Sequence, residues 1–198
     1  MARRPYKQKR RAEAAEETRR RIVRATFELH GERGIAATTM KDIAERADVS
    51  VGTVYHHFPT YSDAIKACGA YSMSLAPLPD ETLFDGASGR AERIARLVLA
   101  CFDAYEKIGA FDWVRRDSHV DPLLAAVVEE EENTRQSLAA LALGSRRNAR
   151  TRHVAAMCDV GVFTAFARAG LSAQQAASVV AEMINAWLAA GDPPAAKN

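Results

Sequence analysis

Apolar positions recur at helical spacing along nearly the whole chain, and no stretch alternates with the period of two that marks a half-buried strand. Met40, Ile43, Ala44 and Ala47 fall at i, i+3, i+4 and i+7, one buried face of a short helix. Val51, Val54, Tyr55 and Phe58 repeat the spacing and predict a second helix with Val51, Val54 and Tyr55 pointing partly inward. Thr39 reads as the N-cap of the first, with Asp42 three residues on as a short reciprocal capping partner, and Ser50 as the N-cap of the second. Asp48 and Val49 alone separate the two runs, which leaves room only for a sharp turn. Asp48 tolerates the left-handed backbone such turns need, and small Ala44 lets the helices cross closely. The pattern is a helix-turn-helix.

The same reading extends in both directions. A helix over residues 14–32 ends at Gly34, a C-terminal cap. Before it, residues 1–11 (MARRPYKQKRR) hold six basic side chains and no acid, and Pro5 discourages an early helix. Residues 1–13 therefore read as a flexible basic arm, serving either solubility or contact with phosphates or a minor groove. A fourth helix runs from Ser62 to Leu75, where Pro77 and Pro79 stop it. Ile94, Leu97, Val98, Cys101, Phe102 and Tyr105 form the stripe of a long helix from Ser88 to Gly109, followed by a short segment at 111–117. Asp121-Pro122 opens a helix to Leu143, in which Glu129 to Glu132 cannot all be buried. Two last helices fit 153–168 and 173–189, the second capped by Ser172. The fold class is all-α, with about nine helices by this periodicity. A small helix-turn-helix domain at 14–60 precedes a larger helical domain at 61–198.

Composition narrows the function classes. Of 198 residues, 48% are hydrophobic, which excludes wholesale disorder. No apolar run approaches the roughly 18 residues of a membrane span, and the basic N-terminus leads into no apolar segment, so a soluble cytoplasmic protein is expected. Cys68, Cys101 and Cys158 are far apart with no C-x-x-C, and read as buried structural thiols. The net charge of +2 hides an asymmetry: residues 1–66 carry 14 Lys/Arg against 9 Asp/Glu, and the remainder 13 against 16. The basic surplus lies with the helix-turn-helix, as a phosphate-facing surface requires. No nucleophile elbow, phosphate loop or H-E-x-x-H occurs, so the chain reads as a non-enzyme without cofactor. His56 and His57 are adjacent and point about 100° apart on a helix, which argues against a shared metal. His30, His119 and His153 have no ligand spacing.

In a helix-turn-helix the second helix enters the major groove of double-stranded DNA. Its surface falls to Ser50, Gly52, Thr53, His56 and His57. Gly52 lets the backbone approach the duplex, and Thr53 can offer its methyl or hydroxyl to a base edge. Tyr55 and His57 carry donors suited to phosphate oxygens, and Thr39 can present a hydroxyl and N–H to a phosphate.

The run T-T-x-x-x-I-A-x-x-A-x-V-S-x-G-T-V-Y-x-H-F resembles the tetracycline-repressor (TetR-type) family of bacterial transcription regulators. Ile22 to Leu29, ending in Arg33-Gly34, looks like that family's first helix, and the resemblance covers roughly residues 18–75. Asp48 stands where glycine is common, His30 where an aromatic is common, and Thr60-Tyr61 where the family usually shows Ser-Lys. Backbone contact there then falls to Tyr61 or Lys66, or is lost. The resemblance implies a homodimer reading a palindromic operator, with the two C-terminal helices pairing through Phe163, Phe166, Val180, Met183, Ile184 and Trp187. It also implies an effector pocket, for which Phe102, Tyr105, Phe111, Trp113, His119 and Met157 offer aromatic walls and polar handles, each of them reading equally as ordinary core. The expected protein is a repressor released by a small, largely apolar or aromatic ligand, with repressor against activator left open.

Overall fold

The first helix, α1, runs Arg3–Arg33, eleven residues earlier at its start than periodicity predicts. The computed structural model describes residues 3–77 and 79–191, with side chains from residue 8 onward. The expected flexible arm is therefore helical from residue 3, and only Met1 and Ala2 of it lie outside the described residues. Strong helix formers between Gln8 and Glu17 propagate the helix. Pro5 sits in the first turn, where its missing N–H has no intrahelical acceptor to lose.

The remaining helices among the described residues are α2 (Met40–Arg46), α3 (Val51–His57), α4 (Tyr61–Leu75), α5 (Arg90–Ile108), α6 (Phe111–Arg116), α7 (Pro122–Leu143), α8 (Ala149–Met157), α9 (Val160–Arg168) and α10 (Ala173–Ala189). A 3-10 turn at Glu81–Phe84 joins α4 to α5, and no strand occurs among these residues. The single helix expected at 153–168 is two. Asn148 and Thr151 form a reciprocal capping box that starts α8 early, and the Asp159 side chain accepts the Gly161 N–H at 2.7 Å to start α9 afresh. No single described helix is long and apolar enough to cross a membrane.

The chain forms two compact units: Met1–Leu75 with Trp113–Leu124, and Ala76–Asp112 with Ala125–Asn198. The expected boundary after residue 60 thus shifts past α4, because α4 completes the first core. Ala64 is buried with Ile22, Leu29, Ile43, Val54 and Phe58, and Tyr71 meets Phe27 edge to face with ring centroids 5.3 Å apart. Trp113–Leu124 joins this unit through a smaller cluster of Ile35, Ile65 and Leu124, flanked by Val114 and Leu123.

In the second unit α5 and α10 lie side by side, and the alanines at 173, 176, 177 and 181 let them approach closely around Leu97, Val98, Phe102, Val180 and Ile184. Of the four consecutive acids on α7, Glu129, Glu130 and Glu132 face solvent. Glu131 is buried and takes Arg135 Nε at 3.0 Å and the Tyr105 hydroxyl on the same oxygen. Arg135 also reaches the Ala155 carbonyl at 2.6 Å and Asp159 at 3.1 Å.

Candidate nucleic-acid interface

The two short helices are cut to length by their caps. Asp42 Oδ2 accepts the Thr39 N–H at 2.9 Å and the Thr39 hydroxyl at 2.5 Å, while Thr39 Oγ1 accepts the Asp42 N–H at 3.2 Å. These bonds to Thr39, together with the Arg33 guanidinium at 2.8 Å, hold the Asp42 carboxyl below its usual range. At the turn Asp48 adopts φ 53, the one left-handed non-glycine among the described residues, which costs about 1 kcal/mol that a glycine would not pay. Ser50 Oγ accepts the Thr53 N–H at 3.0 Å and starts α3.

Within α3 only Val54 is buried, and Phe58 closes the helix from beneath. Val51 is 39% exposed and Tyr55 50% exposed, so each is only partly turned inward and leaves a large share of its side chain on the open face. Seven residues make barely two turns, and Val54 with Phe58 suffices to seat them. Ser50, Gly52, Tyr55 and His56 join Val51 on the open surface, with Thr53 and His57 half-buried at its margin. A Cβ at Gly52 would meet nothing nearer than Ser50 Oγ at 3.7 Å, so internal packing does not require the glycine. The His56 and His57 rings meet edge to face, centroids 5.4 Å apart. Partial burial, then the charges of His56 and Arg19, lower the His57 pKa against the opposing pull of Glu16. Among the described residues no group of three or more His, Cys, Asp or Glu could hold a metal ion.

Thr39 is exposed, but its hydroxyl is engaged by Asp42. Lys66 is exposed on α4. Tyr61, expected to offer a backbone contact, has its hydroxyl engaged internally: it donates to the Ile35 carbonyl at 2.7 Å and lies 2.9 Å from His30 Nε2. With that proton committed to Ile35, His30 Nε2–H is the donor, and Nδ1 faces the Cys68 thiol at 3.6 Å. Burial lowers the His30 pKa to about 4 against the opposing pull of Asp117, and raises the Tyr61 phenol and the Cys68 thiol, the latter to about 12. All three are neutral. His30 in place of an aromatic is thus the hub of a hydrogen-bonded chain.

Sequence reasoning missed the residues that hold the loop before α2. Asp117 Oδ2 accepts the N–H groups of Ile35 and Ala36 at 2.7 and 2.8 Å. Trp113 covers Gly34 (φ 91) so closely that a Cβ there would lie 2.6 Å from the indole, and the Arg116 guanidinium lies over the same ring, 4.5 Å from its centroid. No local signal marks Asp117, whose partners lie more than 80 residues away.

The expected pocket residues are divided between the two units. Phe102, Tyr105 and Phe111 are buried core of the second unit, with Phe163 against both Phe102 (5.5 Å) and Tyr105 (6.2 Å). Trp113 and His119 belong to the first unit, the former on Gly34 and the latter exposed. Met157 lines an apolar groove of about 460 Å³ with His153, Met183 and Trp187. The expected interface residues divide as well. Phe163, Val180 and Ile184 are already covered within the chain, because α9 and α10 both pack those residues toward α5. Phe166 and Trp187 are half-buried, and Met183 is 50% exposed.

Residues 22–63 match the family model described as bacterial regulatory proteins, tetR family. The HTH-type transcriptional repressor KstR of Mycolicibacterium smegmatis is 47% identical over 49 residues, 25% of this chain and 24% of that protein. The chain spans about a quarter of the length of such curated relatives. Among solved structures, a putative TetR-family transcriptional regulator from Rhodococcus sp. superposes with a TM-score of 0.59 at 23% identity, covering 86% of this chain and 98% of that one. The ketosteroid transcriptional regulator KstR2 of Mycobacterium tuberculosis gives 0.62 at 19%, covering 84% and 92%. At these identities the two structures speak for the fold.

Proposed function

We propose that this chain, which belongs to the tetR family of bacterial regulatory proteins, is a sequence-specific DNA-binding transcriptional regulator and acts as a homodimeric repressor. The observation that carries the reading is the outward face of α3. Its cap is satisfied internally, its core residue is Val54 alone, and Gly52 is bare without any packing reason. A short rod of this kind fits the major groove with Thr53 at base edges and Tyr55 and His57 toward phosphates.

A dimer supplies two such rods to half-sites about 34–36 Å apart or a multiple of it, which makes the operator a palindrome. The contact surface that remains after the core has taken its share is Met183, Trp187 and Phe166. A small, largely apolar or aromatic effector held by the second unit releases the operator by binding one spacing of the two α3 helices better than the other. The site of action is the cytoplasm, where the DNA is.

Gel-shift titrations against palindromic duplexes test the core of this. Tyr55→Phe is expected to weaken binding to all sequences, and Thr53→Ala to change which sequence is preferred. Superimposable titration curves for the two variants refute the division of roles. Sedimentation as a single subunit at working concentration refutes the dimer.

A further inference from the structure

We infer that the N-terminal turns of α1, outside the core of the first unit, form a second and sequence-indifferent contact, with the phosphate backbone flanking the groove that α3 enters. The inference rests on the DNA-binding reading above and adds a surface to it.

Burial in α1 begins at Ile22, yet the helix starts at Arg3, and every described side chain from Gln8 to Glu17 is exposed. Packing against the described residues therefore gives no reason for these turns. Their position is set further along, where the Arg19 guanidinium stands 5.1 Å over the ring of Phe58, the residue that closes α3. Arg19 and Glu16 also both act on the charge of neighbouring His57. So α1 passes the C-terminal end of α3 and continues beyond it. From Arg19 to Lys9 a helix advances about 15 Å at about 1.5 Å per residue. The major groove is about 12 Å wide between its phosphate walls. A helix that crosses the end of the groove-bound rod and runs that much further arrives at a wall.

What it carries there is cationic. Residues 1–11 hold Arg3, Arg4, Lys7, Lys9, Arg10 and Arg11, and the first acid of the helix is Glu13. At about 100° per residue, Lys9 and Arg11 flank the direction that Arg19 takes toward Phe58, about 80° to either side, while Arg10 points the opposite way. The Lys9–Glu13 pair is long, 4.0 Å, and solvent-exposed on both sides, so it yields readily to a phosphate. The occupant that matches is the polyanionic edge of the same duplex, continuous with the α3 face.

The test is the salt dependence of binding, measured by fluorescence anisotropy with the full chain, Lys9→Gln/Arg11→Gln and Arg10→Gln. Two DNAs are used, a duplex enriched by the full chain from a random pool and an unrelated one. The double variant is expected to lower the slope of log K against log salt by about 1.8, at about 0.9 per phosphate contact, and to weaken both DNAs by the same factor. Arg10→Gln is expected to change the slope by less than half as much. Intact preference for the enriched duplex with an unchanged slope in the double variant overturns the inference and spares the α3 reading. Lost preference with a slope that still responds does the reverse.

Discussion

Each unit buries a group of polar side chains, and the two groups are held by different physics. His30, Tyr61 and Cys68 in the first unit are neutral, because burial pushes each away from its charged form. Arg135 and Glu131 in the second are an ion pair, both almost wholly buried and completed by the Tyr105 hydroxyl, Asp159 and a backbone carbonyl. A neutral chain of hydrogen bonds is threatened by a proton, and a buried ion pair by loss of one partner. The first group braces the segment that leads into α2; the second ties α5, α7 and the α8–α9 break together.

That contrast yields four measurable consequences. The largest is Arg135→Met, which strands the Glu131 carboxylate and is expected to cost about 3–5 kcal/mol in urea unfolding. Glu131→Gln/Arg135→Met should recover most of it, and a single variant no worse than the double shows that the pair is not a unit. Next comes acid. His30 takes up its proton near 6.5 when unfolded and near 4 when folded, so its contribution is complete above about pH 6.5 and fades as pH falls toward 4. About 3 kcal/mol should be lost across that window, and His30→Phe should flatten the curve there. A variant that keeps the full slope moves the effect to another group. Third, Asp117→Ala leaves the Ile35 and Ala36 N–H groups without their acceptor, for a loss of about 2–3 kcal/mol in the same assay. Smallest is Tyr61→Phe, expected to cost about 1 kcal/mol and to leave the salt slope of DNA binding untouched. A reduced slope restores Tyr61 to the phosphate surface.

Legibility in the sequence followed distance along the chain. The helix-turn-helix could be read almost entirely, because its caps, its turn and its core residues all lie within 20 positions and each obeys a local rule. Asp48 at φ 53 and the Thr39–Asp42 box are of that kind. Pro5 misled because a first-turn proline was given the weight of an interior one. The Asp117 bonds and the Trp113–Gly34 contact span more than 70 positions and leave no periodic trace. Apolar faces on α9 and α10 showed that something covers them but not what, and α5 turned out to claim Val180 and Ile184. The Phe102, Tyr105 and Phe111 rings raised the same ambiguity, since aromatic core and aromatic pocket have one composition.

The first unit closes only when residues 113–124 are added to 1–75. During synthesis at about 5–20 residues per second, the stretch from 76 to 124 takes roughly 2–10 s to emerge. For that interval α1 to α4 wait on the ribosome without Trp113 over Gly34 or a carboxylate for Ile35. The nascent head is held unfinished until part of the chain that follows has been made.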